Sequence, residues 1–237
     1  MKSLFLGLSL SLTLATLNLT LAGTAQGASD CGGKSVKDDM CTARIDDLHP
    51  TQMAVGLIEV RLKEKELRKI VGDSDALKKF EKKNPEPAVV GPGAKLYIID
   101  HHHLARAMSD VGIKTTYCTI VANYSDLDRA AFWAKMARKS WVYPYDENGR
   151  GPRPFADLPQ AVNKMTDDPY RSLAGEVRAA GGYEKSETPF TEFIWAGFFR
   201  TRISAKEVNS DFDQAVKDGV SLAHTHEARD LPGYTKD

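Results

Sequence analysis

The chain has 237 residues, with 32 Lys and Arg against 32 Asp and Glu, and 42% of it is hydrophobic. That length suits one sizeable domain or two small ones. The neutral balance excludes a protein that holds DNA mainly by bulk charge, but not a nuclease with a locally basic groove.

Lys2 is the only charge before Asp30, an apolar stretch fills residues 4–21, and Ala25 and Gly27 supply small residues where a signal peptidase reads. The pattern is that of a secretory signal peptide over residues 1–27, cleaved near Gly27 or after Ala25. An uncleaved anchor is the alternative. The expectation is therefore a periplasmic or secreted protein with no stable membrane anchor after cleavage, and no lipid anchor, because no Cys follows Leu21-Ala22-Gly23. Residues 28–44 read as an arm. Cys31 and Cys41 lie in a polar segment and can close a short loop in an oxidising compartment. Cys118, inside the strand-like Thr115-Thr116-Tyr117-Cys118-Thr119-Ile120-Val121, reads as a buried thiol.

Pro50 disfavours helix at His49 and marks a turn over residues 46–52. Residues 53–70 read as helix on the spacing of Leu57, Val60, Leu62, Leu67 and Ile70, although residues 55–60 also fit a strand. Residues 74–83 form a short amphipathic helix capped by Ser74 or Asp75. Two strands over residues 87–90 and 95–99 flank the turn Gly91-Pro92-Gly93. Leu104, Ala107, Met108 and Val111 then repeat at helix spacing, and the 115–121 strand follows. Beyond residue 124 the character is helical: a helix over 126–141, a Pro/Gly/aromatic loop over 141–159, and helices near 158–165, 168–180, 189–199 and 204–228. The fold class is α/β (α+β), with a small mixed-sheet region over 45–123 followed by a helical region over 124–237 packed on it.

Chemistry concentrates where the 95–99 strand turns into a helix, at Asp100-His101-His102-His103. A helix N-terminus offers N–H groups to a phosphate or other anion. Asp100 is a natural N-cap for the N–H of His102 or His103. It is also a candidate catalytic carboxylate. His102 and His103 suit general acid/base work near neutral pH, with Arg106 clamping a phosphate one turn on. His101, Gln52 and His49 are further candidate substrate-binding residues. The alternatives are that the histidines cap and pack, or that two of them bind a divalent metal with Asp100; Mg²⁺ or Mn²⁺ is the candidate cofactor, without a supporting spacing. Arg150 and Arg153 could contact phosphate from the loop, or simply be solvated. Lys135, Arg138 and Lys139 read as a solvated helix face.

Asp47-Leu48-His49-Pro50-Thr51-Gln52, Val55-Gly56, Glu59-Val60 and Tyr97-Ile98-Ile99-Asp100-His101-His102-His103-Leu104-Ala105-Arg106-Ala107 together resemble the ParB-like nuclease family, a branch of the ParB/sulfiredoxin superfamily. The similarity runs from about residue 45 to at least 143, and on toward 203. It implies a compact α/β fold whose strand–helix turn lines a phosphate or nucleotide pocket, with nucleic acid or nucleotide as candidate partner. Partitioning proteins of the superfamily carry a Gly-Glu-Arg-Arg-like motif at this place, and sulfiredoxin a Gly-Cys-His-Arg. Here His101 replaces the Gly, His102 stands at the reactive Cys, and Leu104 replaces the Arg, so sulfiredoxin chemistry is not expected. Export argues against a partitioning role. The sequence thus points to an exported nuclease or phosphoesterase using His102/His103 and Arg106, or alternatively to a non-catalytic binding module for an anionic ligand.

Overall fold

The computed structural model describes residues 29–236. The signal-peptide segment and its cleavage point lie outside them. Cys31 and Cys41 are joined by a disulfide, and Cys118 is a free, buried thiol.

Five strands form a curled mixed sheet in the order β1-β6-β4-β5-β2: β1 (Met40–Arg44), β2 (Leu48–Pro50), β4 (Glu86–Val90), β5 (Leu96–Ile98) and β6 (Thr115–Asn123). β1 runs antiparallel to β6, β6 parallel to β4, β4 antiparallel to β5, and β5 parallel to β2. The expected hairpin is β4–β5, with Gly93 in the left-handed region at φ 71° supplying its turn. On one face of the sheet, Ala88, Val90, Ile98, Cys118 and Ile120 pack with α1 (Leu57–Leu67) and α3 (His102–Asp110), while α2 (Ser74–Lys83) adds Leu77 and Phe80 at the margin. The opposite face, through Val89, Tyr97 and Val121, receives Phe132, Trp133 and Met136 of α4 (Arg129–Arg138).

A second small sheet ties the halves together. β3 (Ala54–Val55) pairs in parallel with β7 (Thr166–Asp167). A separate helical core follows, built from α5 (Pro169–Ala179), α6 (Thr191–Arg200), α7 (Ala205–Ser210) and α8 (Phe212–Ala223) around Trp195, Phe199, Leu173 and Val177. Asp168 begins α5 by accepting from the N–H of Tyr170, with Pro169 in the first turn, the position where a missing N–H costs least. No helix among the described residues is long and apolar enough to cross a membrane.

Several elements depart from the sequence reading. The 53–70 helix starts only at Leu57, because residues 54–55 are taken by the pairing with β7. α2 is capped by Asp73, not Ser74 or Asp75, since Asp73 Oδ1 receives the N–H groups of Asp75 and Ala76. The expected helix near 158–165 is only a 3-10 turn at Val162–Lys164. The long 204–228 helix is broken at Asp211, which closes α7 and caps α8 through the N–H of Gln214.

Candidate functional site

β5 ends at Ile98, and two residues later the chain must reverse into α3. It does so at His101, whose φ of 59° lies in the left-handed region. Glycine enters that region freely, while histidine pays a steric cost for its Cβ. Asp100 does not cap the helix as the sequence suggests. Its Oδ1 accepts from the N–H of His101 at 2.7 Å, stabilising the turn one residue earlier, and the helix carries no side-chain cap.

His102 and His103 point inward. His102 is 2% exposed, and its Nε2 accepts the backbone N–H of Thr51 at 3.1 Å. The Thr51 hydroxyl in turn donates to the Ile98 carbonyl at 2.9 Å. Nε2 as acceptor places the ring proton on Nδ1. Burial depresses the pKa to about 3, with nearby His101 and Arg171 adding to the fall and Asp100 opposing it. His103 accepts the N–H of Gly56 at 3.0 Å through its own Nε2. Burial, then the Arg171 charge, hold its pKa well below the usual histidine value. Glu59 Oε2 lies 3.4 Å from that nitrogen; with the ring neutral and its lone pair turned to Gly56, this is proximity and not an ion pair. The two rings are thus bolts that fasten residues 51–56 to α3. In this arrangement neither Nε2 is available for the acid/base role expected of it.

Two other candidates sit elsewhere. Arg106 leaves the cleft for Asp110 Oδ2 at 2.8 Å and the Met165 carbonyl at 2.8 Å, because its face of α3 meets the 162–165 turn. His49 packs at a tilt against Tyr97, centroids 5.2 Å apart, outside the cleft, and burial followed by the Lys95 charge lowers its pKa. Arg150 and Arg153 line none of it.

Asp100, His101 and Gln52 do come together, with the inner edges of His102 and His103, in a cleft of about 440 Å³. Its remaining walls include Glu59 of α1, quoted above only as part of the family pattern, and residues that the sequence reading did not single out: Lys63 of α1, Arg171 and Arg178 of α5, and Lys185, Thr188 and Glu192 beyond it. Arg171 Nη1 lies 3.3 Å from Glu59 Oε2, and its guanidinium is 5.4 Å from the Phe193 ring. Its Nε is buried without a hydrogen-bond partner. Arg178 Nε lies 3.3 Å from Glu192 Oε1, and Lys63 Nζ 3.6 Å from Glu59 Oε1. A signal was present in the sequence: Arg171 and Arg178 are seven residues apart and so share a helix face. α5 meets α1 closely because Gly56 has no side chain; a Cβ there would overlap Ser172.

The lining therefore holds four cations, Lys63, Arg171, Arg178 and Lys185, against the carboxylates Glu59, Asp100 and Glu192. Planar guanidinium groups match the paired oxygens of a phosphate or carboxylate. Asp100 and His101 are exposed at its mouth, where protons can be exchanged. Among the described residues, no three His, Cys, Asp or Glu side chains cluster as a metal site.

The family model described as "Putative ParB-like nuclease" matches residues 41–201. Among solved structures, the crystal structure of protein Atu1540 from Agrobacterium tumefaciens is similar at 40% sequence identity and a TM-score of 0.76, covering 84% of this chain and 98% of that one. No curated protein matches the chain.

Proposed function

Because the chain belongs to the ParB-like nuclease family, we propose that its cleft binds the phosphate of a nucleic acid or nucleotide and that the protein hydrolyses phosphodiesters. The observation that carries this reading is the convergence of Arg171 and Arg178 of α5 with Lys63 of α1 opposite the N-terminus of α3. Backbone N–H groups at a helix start and guanidinium donors together favour a phosphate over a neutral ligand. In the proposed reaction the guanidiniums hold the non-bridging oxygens and offset the charge that develops on phosphorus. Asp100 takes a proton from the attacking water, whose oxygen bonds to phosphorus as the ester P–O bond breaks, and His101 protonates the leaving oxygen. Roles assigned from sequence to His102 and His103 pass to positioning, since each fixes the Gln52 loop against α3.

The site of action is outside the cytoplasm. The Cys31–Cys41 bridge supports this, as such bridges persist in oxidising compartments. A second reading, a binding module without turnover, is favoured by one observation: both inner histidine nitrogens are already occupied.

The test is cleavage of plasmid, single-stranded DNA and RNA by residues 28–237, in Mg²⁺, Mn²⁺ or chelator, beside Asp100→Asn and Arg178→Ala. Cleavage that falls about 100-fold in both variants, with melting unchanged, is expected for loss of a base and of a phosphate donor. Equal cleavage by all three proteins would refute the assignment. Retained binding with no cleavage in any of them would favour the second reading.

A further inference from the structure

A second hollow, of about 520 Å³, continues from the cleft. Glu59, Lys63, Asn84, Leu104 and Arg178 line both, so the two adjoin as arms on either side of a shared ridge. The arms differ in chemistry. Where the first gathers Arg171, Lys185 and Asp100, the second is floored by Leu62, Leu67, Phe80 and Leu104. Leu62 is 50% exposed there, an unusual place for a leucine on an otherwise charged helix.

The wall facing that floor contains Gly175, in the interior of α5. Glycine weakens a helix relative to alanine. A Cβ at this position would stand 3.4 Å from Arg171 Nη1 and 3.5 Å from Glu59 Oε2, ordinary contact distances, so close packing does not require glycine here. What the missing side chain does is leave room in that wall of the apolar arm. The rim of the apolar arm is polar: Glu66 and Glu176 border it, and Asn84 spends its Nδ2 on the Phe80 carbonyl at 2.8 Å, leaving Oδ1 as an acceptor. An apolar floor with a ring to stack on and acceptors at the edge fits a nucleobase, whose faces are apolar and whose edges donate, better than a hydrocarbon chain.

Resting on the phosphate reading above, we infer that the apolar arm takes one unstacked base of the nucleic acid whose phosphate lies at the ridge beside Arg178, so that the substrate is single-stranded. A base within a duplex is held in its stack and reaches such an arm only by being turned out, at the cost of pairing and stacking. A single strand offers its bases free to stack on an aromatic ring beside a cationic track.

The experiment measures equilibrium binding of residues 28–237 to a short single-stranded oligonucleotide, its duplex, its abasic counterpart and octyl phosphate. Gly175→Leu fills the arm while improving helix propensity, and Leu62→Ser strips its floor at an exposed position without adding charge. The base-bearing single strand is expected to bind about tenfold tighter than the duplex or the abasic strand, the scale of one base–aromatic stack. Both substitutions should reduce it to the abasic level and leave abasic binding unchanged. Equal binding of abasic and base-bearing strands would overturn the inference while the phosphate reading stood. Tighter binding of octyl phosphate would overturn it in favour of an acyl chain. If none of the four probes bound, the phosphate reading would fall, and this inference with it.

Discussion

His102→Gln removes the titrating ring from the Thr51 bolt while keeping an acceptor, Oε1, for the Thr51 N–H. The wild-type ring is neutral when folded, with a pKa of about 3 against 6.5 when unfolded. A histidine depressed in this way adds stability that is present above pH 6.5 and is lost as pH falls toward the folded value, because the unfolded chain binds the proton first. The slope is about 1.4 kcal/mol per pH unit for one proton, so His102 alone removes about 3 kcal/mol by pH ~4.5. That is a large share of the 5–15 kcal/mol typical of a domain. His103 acts in the same direction. Glu86 acts oppositely, since its raised pKa gives stability that is present below 4.5 and lost as pH rises; the informative quantity is therefore the gap between wild type and variant. At pH ~7.5 the variant should be less stable by about 1–2 kcal/mol, from a poorer hydrogen bond at a buried group. Urea unfolding in steps down to pH ~4.5 should show that gap closing by about 3 kcal/mol and reversing. Parallel curves for the two proteins would refute the neutral, buried ring.

Glu86→Gln replaces a fully buried acid whose two oxygens have no hydrogen-bond partner; thermal melts should show the variant gaining on wild type progressively above pH 4.5, the ordinary value from which burial raises this group. His101→Gly should relieve the left-handed backbone by about 1 kcal/mol, raising Tm by about 2–4 °C in a chain of this size. In the cleavage assay the same variant should lose activity if His101 is the proton donor. Cys31→Ser opens the bridge between residues ten apart and should cost about 2–3 kcal/mol; reductant should lower the wild-type Tm by a similar amount in calorimetry and leave the variant unaffected.

Local pattern made much of the N-terminal half legible. The β4–β5 hairpin announces itself in Gly91-Pro92-Gly93, α3 in the spacing of Leu104, Ala107 and Met108, and β6 in its β-branched run. The strand–helix turn is a wall of the candidate cleft, and Asp100, His101 and Gln52 do face it. Packing was one of the readings open for the histidines; which groups they meet was not legible, because the partners lie about fifty residues away: Thr51 and Gly56 supply the N–H groups that turn two reactive-looking rings into neutral acceptors. Arg106 looked right by helix spacing, yet that face turns to Met165, which only the tertiary packing decides. The opposite wall was missed for the same reason. Arg171 and Arg178 share a helix face in any reading, but nothing local says that α5 is laid across α1.

That crossing makes the cleft the joint property of two lengths of chain. Residues 52–104 build one jaw and residues 171–192 the other, and they meet through Thr166 donating to Met53, Asp168 donating to Val55, and Leu57 donating to Asp167. A cut in the exposed 148–153 loop would leave each jaw on its own polypeptide, with this short seam, the Arg106 bond to the Met165 carbonyl, the packing of Val162 and Met165 in the first core and that of α5 on α1 to rejoin them. The proposed phosphate capture would then behave as an AND gate, silent for either fragment and switched on by their reassembly, which is the logic of a fragment-complementation sensor.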